Sequence, residues 1–164
     1  MKTVIIYATK HGFAKKCSEK LSEKLNGQVE LCNLKENKPV ELPQYDKVII
    51  GGSIYMGQIQ KEVREFCLKN QDELNKKKLG LFICCMSEED KAKEQLNNSF
   101  SQEMINNAIV KGNFGGEFAF RKMNFFERFI IKKVSKTSED MSNFKEENVD
   151  KFAHEMNSIM GCKK

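Results

Sequence analysis

The chain has 164 residues, 40% of them apolar and 31% charged, with a net charge of +5 and a pI near 8.8. That balance belongs to an ordinary globular chain with material for one core, and no apolar run reaches membrane-spanning length. The modest basic excess suits an anionic lipid or a phosphorylated ligand, and equally describes a solvated lysine-rich surface; no nucleic-acid partner is expected.

Met1-Lys2-Thr3 leads directly into Val4-Ile5-Ile6-Tyr7. A signal peptide needs a longer apolar region and a small-residue cleavage site. The expected location is cytoplasmic, with a peripheral place on the inner face of the membrane left open. Val4 to Ala8 is a short continuous apolar run, as in a strand buried on both faces of a parallel sheet. Ala14, Cys17, Leu21 and Leu25 then recur at helical spacing, and Gly27 ends that helix. Residues 29–34 read as a second strand, followed by an irregular loop at Pro39 and Pro43. Residues 46–52 (DKVIIGG) form another buried strand. Ile59, Val63, Phe66 and Cys67 are expected on one face of the next helix. Residues 79–85 (LGLFICC) are a fourth strand. Ala92, Leu96, Phe100, Met104 and Ile105 suit one helix, and residues 111–120 are strand-like around Gly115-Gly116. Val149, Phe152, Met156 and Ile159 mark a final helix.

Strands and helices therefore alternate, which predicts a doubly wound parallel sheet with helices on both faces. Residues 1–164 are expected to form one domain. Ligands of such sheets lie beyond the carboxyl ends of the strands, where strand order reverses. The loops after Ala8, Gly52 and Cys85 are the candidates.

The first loop is Thr9-Lys10-His11-Gly12-Phe13-Ala14. A helix start presents free N–H groups and the positive end of its dipole to an anion. Thr9 adds a hydroxyl, and Gly12 allows close backbone approach. An ordinary strand-to-helix turn also favours Thr and Gly, so the loop alone leaves both readings open. A P-loop and a G-x-G-x-x-G dinucleotide loop are absent. A receiver domain would need acidic residues where Thr9-Lys10 and Gly52-Ser53 stand. In the second loop, Ser53-Ile54-Tyr55-Met56-Gly57 offers apolar and aromatic surface for a flat ring. The third, Cys85-Met86-Ser87, can bond a ring's polar edge through its backbone. Six cysteines with no C-x-x-C pair read as packed thiols, Cys84-Cys85 included. The two histidines, His11 and His154, provide no paired spacing for zinc, and no metal is expected.

Thr9 to Ala14 resembles the flavodoxin phosphate loop, [ST]-x-[ST]-G-x-[ST]. Thr9 and Gly12 match, while His11 and Ala14 stand where that family carries hydroxyls. Gly52 to Gly57, a helix carrying Phe66, Gly115-Gly116-Glu117-Phe118 and Phe125 to Lys132 resemble the menaquinone-dependent protoporphyrinogen IX dehydrogenases among flavodoxin-like proteins. The resemblance covers nearly the whole chain. It implies a flavodoxin-like five-stranded parallel sheet and FMN as cofactor. Thr9, Lys10, His11, Gly12, Phe13, Ala14, Ser53, Ile54, Tyr55, Met56, Gly57, Cys85, Met86 and Ser87 are its candidate contacts. It further implies oxidation of protoporphyrinogen with a quinone acceptor. A flavodoxin-type electron carrier serving a redox partner protein is the alternative, and a domain that has lost flavin is a third. No acid–base set stands out, so catalytic residues are unassigned.

Residues 121–137 (RKMNFFERFIIKKVSKT) are inserted before the last helix. Drawn as a helix, they place Phe125, Phe126, Phe129, Ile130 and Val134 in one apolar arc, with Arg128 and Lys132 outside it. Arg121, Lys122, Lys133 and Lys136 lie nearby. Such a helix can lie on an anionic membrane, cover an apolar substrate, or pack its aromatics on the sheet edge. Phe125, Phe126, Arg128 and Lys132 are the candidates for membrane contact.

Overall fold

A computed structural model describes residues 1–36, 38–118, 123–135 and 141–159. Arg121, Lys122 and Lys136, singled out above, lie outside the described residues, as do the side chain of Val134 and one of the six cysteines, Cys162. In chain order the elements are β1 (Lys2–Ala8), α1 (Phe13–Lys24), β2 (Gln28–Asn33), β3 (Lys47–Tyr55), β4 (Gln58–Ile59), α2 (Lys61–Leu74), β5 (Lys78–Cys84), α3 (Glu89–Ser99) and α4 (Gln102–Asn107). They continue with β6 (Val110–Asn113), β7 (Gly115–Phe118), α5 (Phe125–Ser135), β8 (Met141–Phe144) and α6 (Glu146–Asn157).

The central sheet has the order β2-β1-β3-β5-β6, and each of these pairs is parallel. The chain passes from β1 to β2 on one side and returns to β3 on the other. Strand order therefore reverses between β1 and β3, and a crevice opens beyond their carboxyl ends. Side chains alternate across the pleat. Val4, Ile6, Val48, Ile50, Leu81 and Ile83 enter the core under α2, α3 and α4. Ile5, Tyr7, Ile49, Phe82 and Cys84 enter the core under α1 and α6. On that second face Phe82 stacks on Phe114, with centroids 4.7 Å apart, and Phe114 meets Phe152 edge-on at 5.3 Å. Gly51 makes room for this stack, because a Cβ there would come within 2.4 Å of the Phe82 ring.

Four local readings are corrected. Ile59 is not in a helix: it pairs antiparallel with Ile54 as part of β4, and α2 begins at Lys61. Its burial within the same core explains why it fits the helical pattern. The helix expected over 92–105 is two helices. Phe100 is extended, and the Ser101 side chain caps α4 by accepting from the Met104 N–H. The run 111–120 also divides. β6 ends the parallel sheet, whereas β7 leaves it to pair antiparallel with β8. Gly115 turns the chain there at φ 86°. The Asn143 carbonyl lies where a Cβ would be, 1.7 Å away, so only glycine fits. Finally, the apolar arc of residues 121–137 is split between two faces of α5. Phe125, Phe126 and Phe129 are 88%, 65% and 58% exposed, while Ile130 and Ile131 turn inward to the crevice.

Candidate functional site

The β1–α1 loop is positioned by burial on both sides. Ala8 ends a buried strand, while Phe13, Ala14 and Cys17 anchor the first turn of α1 in the core. Between them Gly12 takes the N-cap position with φ 93°, a left-handed conformation that costs other L-residues about 1–2 kcal/mol. The Gly12 N–H donates to Thr9 Oγ1 at 2.9 Å. Thr9 therefore shapes the turn from within, and its own hydroxyl proton stays available to donate. The first-turn amides of α1 have no acceptor inside the helix and point, with the helix dipole, toward the crevice.

The second loop rises over the same crevice. Met56 and Gly57 both have positive φ, 51° and 78°, which is the two-residue turn that joins the closely paired β3 and β4. Met56 pays the steric cost of that conformation, leaving its side chain 67% exposed at the rim. Tyr55 lies beneath the Lys10 ammonium, 4.3 Å from ring centroid to nitrogen.

The third loop is tied from below by Asn113. Its Oδ1 accepts from the Cys85 N–H at 3.2 Å and the Gly115 N–H at 3.0 Å. β7 packs against this loop so closely that a Cβ on Gly116 would sit 2.9 Å from the Met86 nitrogen. Cys84 and Cys85 point to opposite faces, Cys84 beside Cys17 and Cys85 beside Ser87. Burial pushes both thiols above their ordinary value, which keeps them protonated and unreactive. Both are free thiols.

These loops enclose a cavity of about 190 Å³. Of the residues expected at the site, Lys10, His11, Phe13, Ser53, Ile54, Tyr55, Met56, Cys85 and Met86 line it. Thr9, Gly12, Ala14, Gly57 and Ser87 do not. They set the backbone beside or beneath it. His154 lies on the exposed side of α6, away from the cavity.

Several contributors were not anticipated. Gln60, preceding α2, lines one side, Gly116-Glu117 of β7 line another, and Cys84, Met123, Ile130 and Ile131 add to the walls. Glu127 of α5 lines it too and is only 2% exposed. Its carboxylate pairs with Lys10 Nζ and lies 2.9 Å from His11 Nε2. Burial pushes the Glu127 carboxyl up, but the hydrogen bond and charge of Lys10, with His11, outweigh it and hold the carboxyl below its ordinary value. Lys10 is correspondingly raised, chiefly by its bond to Glu127. Beside the cavity, and sharing Lys10, Tyr55 and Gln60 with it, runs an open groove lined by Lys35, Lys61, Glu62 and Arg64, in which Lys35 pairs with Glu62 at 3.9 Å and Lys61 with Glu65 at 3.3 Å.

The arrangement suits a flat ligand with an anionic end. Lys10, His11 and the α1 amides can hold the anion. Ile54, Tyr55, Met56, Ile130 and Ile131 present apolar walls to a ring. The glycine approach at Gly116 brings backbone groups to its edge.

The sequence matches the flavodoxin domain family over residues 4–145, and the chain belongs to that family, whose cofactor is FMN. It is 23% identical over 146 residues to a protoporphyrinogen IX dehydrogenase [quinone] of Escherichia coli K12, spanning 84% of this chain and 81% of that one. A flavodoxin of Streptococcus pneumoniae shares the fold with a TM-score of 0.58 at 15% identity, covering 95% of this chain and 97% of that one. Flavodoxin 1 of Bacillus cereus does so with a TM-score of 0.53 at 14% identity, covering 98% and 100%. This chain is thus a flavodoxin-like redox protein.

Proposed function

We propose that this chain holds FMN between the loops after β1, β3 and β5 and uses it to oxidise protoporphyrinogen IX, passing electrons to a quinone. The observation that carries the reading is the joining of an anion-binding loop to an apolar slot at the strand-order reversal, with α5 laid across the slot. The 23% likeness to the Escherichia coli dehydrogenase supports it.

FMN supplies the redox chemistry, taking up hydride or single electrons at its ring. The chain's own residues do the rest. Lys10, His11 and the α1 amides beyond Gly12 hold the phosphate, with Thr9 adding its hydroxyl. Ser53 to Gly57 flank the ring, and Cys85 to Ser87 meet its polar edge. Ile130 and Ile131 exclude water. The groove at Lys35, Lys61 and Arg64 suits the carboxylates of a macrocyclic substrate.

The outer face of α5 fits an anionic lipid surface. Phe125, Phe126 and Phe129 stand out beside exposed Arg128, Lys132 and Lys133, the composition of a helix that lies in a membrane interface. No helix among the described residues is long and apolar enough to cross a membrane. A peripheral, cytoplasmic placement would bring the flavin to a membrane quinone. A carrier without its own substrate would dock on basic partners through an acidic surface, and the net charge of +5 disfavours that alternative.

The test is an anaerobic mixture of FMN-loaded protein, protoporphyrinogen IX and menaquinone. Porphyrin fluorescence should grow only when all three are present. Bound FMN that exchanges electrons with a ferredoxin-type reductase but leaves protoporphyrinogen untouched would replace this reading with the carrier.

A further inference from the structure

Among the described residues, Glu127 and Lys47 are the charged side chains that are buried. Lys47 is satisfied by the Met156 carbonyl, far from the crevice. Glu127 is different: it reaches from α5 into the cation-bearing loop. Lys10 pairs with Oε1, His11 Nε2 lies 2.9 Å from Oε2, and Asn124 Nδ2 donates to Oε1 at 3.3 Å. Asn124 also caps the helix, its Oδ1 accepting from the Glu127 N–H at 2.8 Å. The backbone of Glu127 is therefore fixed at the start of α5, and its carboxylate is carried wherever that turn goes.

We infer that Glu127 is an internal counter-anion of the β1–α1 loop, occupying the place of the FMN phosphate and pinning α5 over the cavity until the cofactor displaces it. This rests on the reading that the loop takes the phosphate of FMN. A carboxylate and a phosphate cannot both be held by Lys10 and His11, because like charges in one site oppose each other. A buried carboxylate stripped of its partners is strongly unfavourable. When phosphate takes the cations, Glu127 turns to water and the first turn of α5 moves with it. The phosphate prevails because it also accepts from the α1 amides, which Glu127 does not reach in this structure. Riboflavin has the same ring and no phosphate, so it leaves Lys10 and His11 to Glu127. Glu127 thereby sets how sharply the chain distinguishes the two flavins.

The experiment measures FMN and riboflavin affinity by flavin-fluorescence quenching for the full chain, for Glu127→Gln and for Glu127→Ala. Both variants should bind FMN about tenfold more tightly, with riboflavin changed by less than about twofold. Hydrogen exchange across residues 125–135 supplies a second readout: FMN should speed it in the unaltered chain, and riboflavin should not. FMN affinity that is unchanged, weakened or shifted in step with riboflavin overturns this inference alone. Slower exchange in the first turn of α5 with FMN does the same, since Glu127 would then stay paired while the flavin is bound. If none of the three proteins binds either flavin, the cofactor reading falls and takes this inference with it.

Discussion

The β1–α1 loop and helix α5 meet at Glu127, yet they are held in opposite ways. The loop is fixed from below. Ala8 and Ala14 are buried at its two ends, Thr9 closes the turn on the Gly12 N–H, and no surface side chain is needed to shape it. α5 is fixed from the side. It turns three phenylalanines to solvent and touches the crevice through Glu127, Ile130 and Ile131. A region set by the core should lose shape only when the core does. A region held by an ion pair should respond to pH, ligand and surface chemistry while the core stays folded.

The largest contrast lies in global stability. Phe82→Ala removes the ring that lies between Gly51 and Phe114, and should cost about 3–5 kcal/mol in urea unfolding. A cost below about 1 kcal/mol would mean that the sheet core does not set the loops. Next in size is Gly12→Val, which places a β-branched residue at φ 93° and should cost about 1–2 kcal/mol or more in the same assay.

α5 should respond to acid on its own. Glu127 is held below the ordinary carboxyl value. A carboxyl lowered by folding contributes stability that is full above its free value and is lost as pH falls through its lowered one. Exchange across residues 125–135 should therefore quicken as pH falls below the ordinary carboxyl range, before the sheet amides do, and Glu127→Gln should remove that step. Simultaneous loss in α5 and sheet would contradict the division. The smallest effect belongs to the outer aromatics. Phe126→Ser should change stability by less than about 0.5 kcal/mol, and the Phe125, Phe126 and Phe129 triple serine variant should lose retention on anionic vesicles. Unchanged retention would remove the membrane role from that face.

What could be read from the residues divides along the same line. The apolar runs of β1, β3 and β5 announce their strands because a parallel strand buried on both faces has no polar side to interrupt it, whereas the edge strand β2 is exposed or half-buried throughout. Gly12 and Gly57 mark their turns because φ is positive at both. The β7–β8 pair escapes notice because Met-Ser-Asn-Phe of β8 is mostly exposed and carries no alternation. α5 is misleading for a different reason. Phe-Phe-Glu-Arg-Phe-Ile-Ile is apolar on most sides, so hydropathy cannot tell which side faces inward, and the isoleucines do. Glu127 also reads as an ordinary first-turn acid after an Asn cap. Only the fold, by bringing residues 116 positions apart to 2.9 Å, shows that it faces His11 and Lys10. The signal that could have found it is a lone acid among the apolar and basic residues of the inserted segment.

The most direct measurement is an FMN titration of the full chain beside Gly12→Val, followed by flavin fluorescence. Saturable binding of one FMN per chain, weakened about tenfold or more by the substitution, is the result this arrangement of loops predicts. Absence of saturable quenching, or equal affinity in the two proteins, would contradict the placement of the cofactor at the loop after β1.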